Sequence, residues 1–159
     1  MSDIKFGTDG WRAIIAKDYT VDNVARVSIA VAIWLKNNFD NPSVIIGHDC
    51  RFGGKLFAET AAKVFAFHAI HVKLAEGFVS TPMVSLGVVR EKASIGVVIT
   101  ASHNPPSYNG YKLKGDFGGP LLPDNIIQVE SLIPNKNNIN INSLNIESYV
   151  KDGLIQFID

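Results

Sequence analysis

The chain has 159 residues with 15 Lys or Arg and 15 Asp or Glu, and its sequence pI is near 6.9. This length is typical of one domain, and the balanced charge excludes a general nucleic-acid binder or a polybasic membrane-surface protein, because both need a positive field. Hydrophobic residues make up 47% and charged residues only 19%, so the chain can bury a sizeable core.

The sequence also bears on the cellular compartment. The N-terminal residues show no basic region followed by an apolar stretch, so we expect no signal peptide. No apolar run approaches the roughly 18 residues of a membrane-spanning helix. The single cysteine, Cys50, excludes an internal disulfide framework and suits a reducing environment. We therefore expect a cytoplasmic globular domain that binds neither nucleic acid nor membranes.

Helix and strand patterns alternate along the first hundred residues. Apolar residues at helical spacing follow Thr20, a residue type that suits an N-cap, and Pro42 ends this helix. The later segments are a strand at 43–47, a helix at 55–68, a strand at 70–75, a helix at 81–92 opened by Thr81 and Pro82, and a strand at 93–100. This alternation predicts a three-layer α/β fold, in which a mixed, mostly parallel sheet of about four strands lies between helices.

After Thr100 the pattern changes. Residues 101–110 are dense in turn formers, so we predict a loop there. Tyr111–Lys114 is then a short strand, which we predict to be the antiparallel member of the sheet. A last short helix is expected over residues 123–132.

The C-terminal part differs in composition. Six asparagines lie between positions 135 and 145, among few residues that form cores. This composition is typical of a linker or a surface segment. We therefore predict a domain over residues 1–134 and an Asn-rich linker over residues 135–159, which begins a connection to further chain.

Three turn-rich segments compete for the position where ligands collect in a parallel α/β sheet, at the carboxyl ends of the strands. They span residues 6–12, 47–54 and 100–114. Their glycines let backbone N–H groups approach an anion closely, and arginines and lysines supply positive charge. The basic residues of these segments are Arg12, Arg51, Lys112 and Lys114. The pattern predicts an anion site with phosphate as the candidate ligand, without naming a reaction.

Ser102 is the candidate nucleophile of the third segment. It follows a buried strand, and Pro105 and Pro106 stiffen its loop, which suits an exposed reactive hydroxyl. Spacing alone nevertheless favours an ordinary turn serine that bonds its own backbone. A Ser–His hydrolase using His103 is rejected, because adjacent residues of an extended chain point to opposite sides and no G-x-S-x-G elbow is present.

Three ordered motifs decide between these interpretations. They are TASHNP at 100–105 followed by NGYK at 109–112, FGTDGWR at 6–12, and VIIGHDCRFGG at 44–54. Together they resemble the α-D-phosphohexomutases, the phosphoglucomutase/phosphomannomutase enzymes, over the chain to about Leu132. Members of that family have four domains, and the resemblance covers the first domain only. It implies that a phosphoserine at Ser102 interconverts hexose 1-phosphate and hexose 6-phosphate through a hexose 1,6-bisphosphate.

The resemblance also implies roles for the neighbours of Ser102. Lys112 matches the lysine beside the phosphoserine, where it assists proton transfer or steadies the transferring group, and Arg12 matches an arginine that bridges phosphate oxygens. The other matched positions are His103 in the catalytic set, and Thr100 and Asn104 in the phosphate-binding set. Outside these sets, Asp49 and Arg51 are at least as well explained as a pair that holds two loops together as by contact with substrate.

Magnesium and the rest of the enzyme enter through the same resemblance. Family members hold Mg²⁺ between the phosphoserine and an Asp-rich loop of the second domain, so Ser102, through its phosphate oxygen, is the one metal ligand expected from this chain. We find no DGDGDR-like metal loop, no Gly-Glu-x-Ser-Gly pattern and no C-terminal phosphate-binding loop. We therefore expect hexose phosphates and domains II–IV of a longer chain as partners, and little activity from this domain alone.

Two alternatives stay open. Phosphoglucosamine mutase belongs to the same family and shares FGTDG and TASHNP, so the sugar is not decided. A stand-alone, non-catalytic module that binds a phosphosugar or a protein is the alternative from another class. An abnormally apolar surface would favour a domain of a longer enzyme, whereas a native single-domain binder should lack one.

Overall fold

The computed structural model describes residues 4–159, which form a six-stranded sheet between helices. Its elements are β1 (Trp11–Ile14), α1 (Val21–Asn38), β2 (Ser43–His48), α2 (Gly54–Phe67), β3 (His71–Phe78), α3 (Thr81–Glu91), β4 (Ile95–Ile99), β5 (Tyr108–Gly115), α4 (Pro123–Ser131), a short 3₁₀ turn (Ile141–Ser143), α5 (Ile146–Lys151) and β6 (Ile155–Ile158). No helix within these described residues is both long and apolar enough to cross a membrane.

The sheet has the strand order β1-β5-β4-β2-β3-β6. Strands β4, β2, β3 and β6 run parallel, whereas β5 is antiparallel to both β4 and β1. The predicted three-layer α/β class and the antiparallel strand around Tyr111–Lys114 are thus confirmed. The expected number of about four strands is wrong, because β1 and β6 are only four residues each and lie in segments whose turn formers and asparagines hide a strand pattern.

The core divides between the two faces of the sheet because side chains alternate along each strand. On one face, α1 and α2 pack over a large apolar cluster that includes Val44 and Ile46 of β2. On the other face, α3 covers a smaller cluster around Ile45 and Val88. Neighbouring residues of one strand therefore belong to different layers.

The helix boundaries follow the sequence signals closely. Thr20 caps α1, since its hydroxyl accepts a hydrogen bond from the backbone N–H of Asn23 at 3.2 Å. The cap of α3 lies one residue earlier than predicted, at Ser80, so that Thr81 is already helical. Pro82 still occupies the first turn, where its missing N–H is tolerated.

The segment predicted as a linker, residues 135–159, is packed on the domain. Ile141, Ile146 and Ile155 are buried, and β6 pairs in parallel with β3, with Ile155 opposite Val72. Widely spaced isoleucines fill core positions while the asparagines bond local backbone, as Asn145 does when it caps α5. The boundary at residue 134 stays a prediction about a longer protein, but most of this segment is not a free linker.

Candidate active site

Three loops that are distant in sequence meet around Ser102. The serine lies in the loop after β4, is exposed, and has a left-handed backbone with φ of 50°. Lys112, on the antiparallel strand β5, donates a hydrogen bond from Nζ to the Ser102 Oγ at 2.6 Å. An exposed hydroxyl hydrogen-bonded to a buried ammonium group is well suited to group transfer.

Lys112 is held by a carboxylate from the N-terminal loop. Its side chain is almost completely buried, and Nζ donates a second hydrogen bond to Asp9 Oδ2 at 2.7 Å. Lys114, two residues along β5 and therefore on the same face, lies 3.7 Å from Asp9 Oδ1. A buried charge is tolerated when it is paired, so Asp9 explains how two lysines can lie inside the domain.

The electrostatics of Asp9 follow from these contacts. Burial disfavours ionisation of its carboxyl, but the hydrogen bond from Lys112 and the surrounding positive charges outweigh burial and hold the pKa of Asp9 below its ordinary value of 3.8. The carboxylate is therefore ionised at neutral pH. It acts as a fixed negative partner for the two lysines.

Gly10 lets the N-terminal loop lie against β5. Its φ is 101°, and a Cβ there would come within 2.8 Å of the Tyr111 carbonyl oxygen and 2.9 Å of Lys112 Cγ. Only glycine combines that conformation with that close approach. The glycine next to Asp9 is thus what brings the carboxylate within reach of Lys112.

Arg12 reaches the same loop from β1. Its Nη1 donates to the Asn104 side-chain oxygen at 3.0 Å, and its Nη2 donates to the Asp9 carbonyl oxygen at 3.4 Å. The structure thus brings together four of the residues singled out from the sequence, Ser102, Lys112, Arg12 and Asn104. The guanidinium is half-buried and retains N–H groups beyond these two bonds.

Thr100 and His103 are placed differently. Thr100 is buried, and its hydroxyl donates to Asp49 Oδ2 at 2.5 Å while accepting from the Ser102 backbone N–H at 3.1 Å. Thr100 therefore supports the loop from beneath. His103 is exposed on the loop, and its side chain makes no hydrogen bond to any residue of the 4–159 range.

Arg51 lies beneath the loop that carries Ser102. Its guanidinium donates to four backbone carbonyl oxygens of residues 102–108, and Nε lies 3.6 Å from Asp49 Oδ2. Of the two explanations left open by the sequence, this geometry matches a pair that holds two loops together. Arg51 therefore holds the backbone of the loop that carries Ser102.

Asp9 is the site residue that sequence reasoning missed. The FGTDGWR segment was identified as part of the site, but an acidic residue is unexpected in an anion site. The signal that could have found it is the pair Lys112 and Lys114, which alternate with Tyr111 and Leu113 in a predicted strand that the structure shows to be buried. Lysines in such a strand require a carboxylate partner.

Carboxylate, imidazole and thiol groups do not cluster around Ser102 in the part of the chain that the structure describes. Within residues 4–159, no group of three or more His, Cys, Asp or Glu side chains could hold a metal ion. Asp9, the carboxylate that shares Lys112 with Ser102, is already engaged by two lysines.

Comparison with known proteins agrees with the motifs and the geometry. The family model described as phosphoglucomutase/phosphomannomutase, alpha/beta/alpha domain I, matches residues 3–140. The chain therefore belongs to the phosphoglucomutase/phosphomannomutase family and represents its first domain.

Individual relatives give the same result. The chain is 33% identical to a phosphoglucomutase of Staphylococcus saprophyticus over 98% of its own length and 29% of the relative's. It is 38% identical to a phosphoribomutase of Saccharomyces cerevisiae over 77% of its length and 21% of the relative's. A crystal structure from Thermus thermophilus, of a protein assigned as a phosphomannomutase, superposes with a TM-score of 0.82 at 36% identity, over 85% of this chain and 31% of that one. The chain thus spans less than a third of the length of these relatives.

Proposed function

We propose that this chain is the phosphoserine-bearing domain of a phosphohexomutase, an intramolecular phosphotransferase that interconverts hexose 1-phosphate and hexose 6-phosphate. One observation carries the proposal: the exposed Ser102 hydroxyl lies 2.6 Å from the buried Lys112 ammonium. Arg12 adds a second cation beside the same loop. This arrangement suits a serine that receives and returns a phosphoryl group, because phosphoryl transfer depends mainly on positioning and on neutralising charge.

The proposed first step starts from phosphorylated Ser102. A hydroxyl oxygen of the sugar monophosphate attacks the phosphorus, the new P–O bond forms, and the bond from phosphorus to Ser102 Oγ breaks. The sugar hydroxyl releases its proton to solvent water, and the departing Oγ gains one from Lys112 at hydrogen-bond distance. The product is the hexose 1,6-bisphosphate intermediate.

The second step reverses the first at the other end of the bisphosphate. After the intermediate turns around, Ser102 Oγ attacks the other phosphorus and its proton returns to Lys112. The bond from that phosphorus to the sugar oxygen breaks, and the sugar oxygen takes a proton from solvent water. Arg12 and Asn104 lie at the same loop and would contact oxygens of the transferring group. Thr100 and His103 would contribute through the shape and exposure of the loop.

The longer protein is part of the proposal. Residues that select the sugar, bind its second phosphate and complete a magnesium site would come from domains II–IV, so the isolated chain should show little or no mutase activity. Mg²⁺ would supply charge neutralisation, with a phosphate oxygen on Ser102 as the ligand from this chain. The free, exposed Cys50 is compatible with the cytoplasmic location that we propose.

The surface supports a domain of a longer enzyme over a stand-alone module. On α3, Met83, Leu86 and Val89 are each at least half exposed. Clustered apolar side chains of this kind are typical of surfaces that another domain covers. The sugar stays open at the level of hexose phosphates, since a phosphoglucosamine mutase of Prochlorococcus marinus is also 33% identical, over 87% of this chain and 30% of its own length.

The test uses the full-length protein that contains this domain. It should convert glucose 1-phosphate, mannose 1-phosphate or glucosamine 1-phosphate to the 6-phosphate with Mg²⁺ and the matching bisphosphate, and peptide mass spectrometry should find phosphate on Ser102. Ser102→Ala should reduce turnover to background, because no other hydroxyl replaces Oγ. Ser107→Ala, an exposed serine of the same loop, is the matched control and should leave turnover unchanged. Retained turnover in Ser102→Ala would refute the proposal.

A further inference from the structure

We propose that Asp49 and Arg51 form a positioning unit, here called the Arg51 clamp, that holds Ser102 in the conformation needed for phosphoryl transfer. The clamp consists of the Asp49–Arg51 pair and the backbone carbonyls that Arg51 binds. This inference rests on the proposed function, since it concerns the geometry of the same serine. It assigns a task to two residues that make no contact with the Ser102 hydroxyl.

The clamp binds most of the loop through one guanidinium. Arg51 Nη2 donates to the carbonyl oxygens of Ser102 at 2.9 Å and Asn104 at 2.6 Å. Nη1 donates to those of Pro105 at 2.8 Å and Tyr108 at 3.0 Å. Four carbonyls of a seven-residue stretch thus converge on one cation, so the loop is wrapped around Arg51.

The hydrogen bonds around Ser102 close into a circuit. The Ser102 N–H donates to Thr100 Oγ1, and that hydroxyl donates to Asp49 Oδ2, which faces Arg51 Nε at 3.6 Å. Arg51 then returns to the Ser102 carbonyl. Both backbone groups of the serine are therefore fixed by the same Asp49–Arg51 pair.

The circuit explains how a strained conformation persists. Ser102 has φ of 50°, a left-handed conformation that is strained for a non-glycine residue and persists only where the surrounding structure fixes it. The hydrogen bonds on the Ser102 N–H and on its carbonyl oxygen fix this conformation. With the backbone held in this way, Oγ stays within 2.6 Å of Lys112.

The chemistry of arginine matches this task. Its planar guanidinium has five N–H donors, whereas a lysine ammonium is a compact charge that cannot span four carbonyls. Pro105 and Pro106 have no backbone N–H. The loop therefore has few N–H donors of its own, and its carbonyl oxygens need another hydrogen-bond partner. The side chain of Arg51 is only 13% exposed, which keeps it beneath the loop and away from a substrate.

The experiment compares Arg51→Ala and Arg51→Lys in the full-length enzyme with Arg90→Ala, an exposed arginine of α3, as the matched control. We expect kcat to fall about 100-fold in both Arg51 variants with KM within about twofold, because a displacement of about 1 Å at the reacting group costs that much. Arg90→Ala should keep both parameters. Added guanidinium ion, well below denaturing concentrations, should restore part of kcat in Arg51→Ala only.

Two results would overturn the inference. One is an increase in KM at unchanged kcat, which would make Arg51 a substrate-binding residue, and the other is unchanged kinetics. If Arg51→Ala does not fold, Arg51→Lys decides by the same criteria.

Hydrogen exchange separates this inference from the proposed function. In the Arg51 variants the amides of Asn104 and Tyr108, which bond within the loop, should exchange faster, while those of β4 should not. This readout needs no turnover. Absence of mutase activity in the wild type would therefore refute the proposed function alone, and unchanged loop exchange would refute the clamp alone.

Discussion

The two faces of β5 carry side chains of opposite chemistry. Tyr111 and Leu113 point into the large apolar cluster beneath α1 and α2. Lys112 and Lys114 point to the opposite side, where a Cβ on Gly96 would meet Lys114 as well as the α3 side chains. All four residues are buried, with at most 5% of each exposed.

The difference shows how one strand serves stability and chemistry at once. Burial of an apolar side chain stabilises the fold through the hydrophobic effect, whereas burial of a lysine costs free energy unless a partner compensates for it. Asp9 is that partner, and it reaches Lys112 from 103 positions away in the sequence. The apolar face thus stabilises the fold, and the charged face holds Lys112 beside Ser102 and Lys114 beside Asp9.

Among changes in β5 and its partner Asp9, the largest effect on turnover should come from Lys112→Met. This change keeps most of the packed stem and removes the ammonium group that donates to Ser102 Oγ. Loss of a proton donor typically costs about 100-fold or more, so kcat of the full-length enzyme should fall by that factor while the chain stays folded. Steady-state kinetics and circular dichroism on the same preparation test it. An unchanged kcat would make Lys112 a structural residue.

The change at the neighbouring residue, Leu113→Ala, should lower stability and leave turnover nearly unchanged. Truncation of a buried leucine costs about 2–5 kcal/mol in unfolding free energy, because it loses apolar burial and leaves a cavity. Turnover per folded molecule should be nearly unchanged. Urea unfolding of wild type and variant measures the change in unfolding free energy. If kcat fell as far as in Lys112→Met, the two faces of β5 would not be separable.

A smaller effect is expected from Asp9→Asn. The amide keeps the shape of the side chain but removes the charge that pairs with Lys112 and Lys114. Because Asp9 is partly exposed, the loss should be modest, up to about fivefold in kcat. Kinetics of the full-length variant measure it, with Asp116→Asn, a distant exposed carboxylate, as the control. A loss as large as that of Lys112→Met would mean that Asp9 takes part in the reaction itself.

The smallest effect concerns pH. The pKa of the Asp9 carboxyl is lower in the folded chain than its ordinary value of 3.8, so its ionised form contributes stability above that value, and the contribution is lost as pH falls through the folded pKa. The stability difference between wild type and Asp9→Asn should be constant near neutral pH and shrink below a pH of about 4. Urea unfolding at neutral and acidic pH tests this. A difference that grows on acidification would contradict the ion pair.

The elements that the sequence predicted well are those with a strong local period. Helix α2 and the buried strands β2 and β4 were found within two residues because a hydrophobic stripe or an apolar run marks each of them. Helix α1 begins directly after its predicted cap, Thr20, but ends at Asn38, before the break predicted at Pro42. Strands β1 and β6 were missed since four residues at a sheet edge carry no such period. Their pairing depends on β5 and β3, which are far away in sequence.

The sequence by itself determined the fold class, the order of the elements with a strong local period, the family and the candidate residues around Ser102, because local periodicity and contiguous motifs encode them. Tertiary structure alone decided how those residues are supported. Three sets of hydrogen bonds provide this support: Lys112 to Asp9, Thr100 to Asp49, and Arg51 to four backbone carbonyls. They join segments that lie 51 to 103 positions apart. No local pattern specifies such contacts, since they arise only when the sheet aligns the ends of its strands.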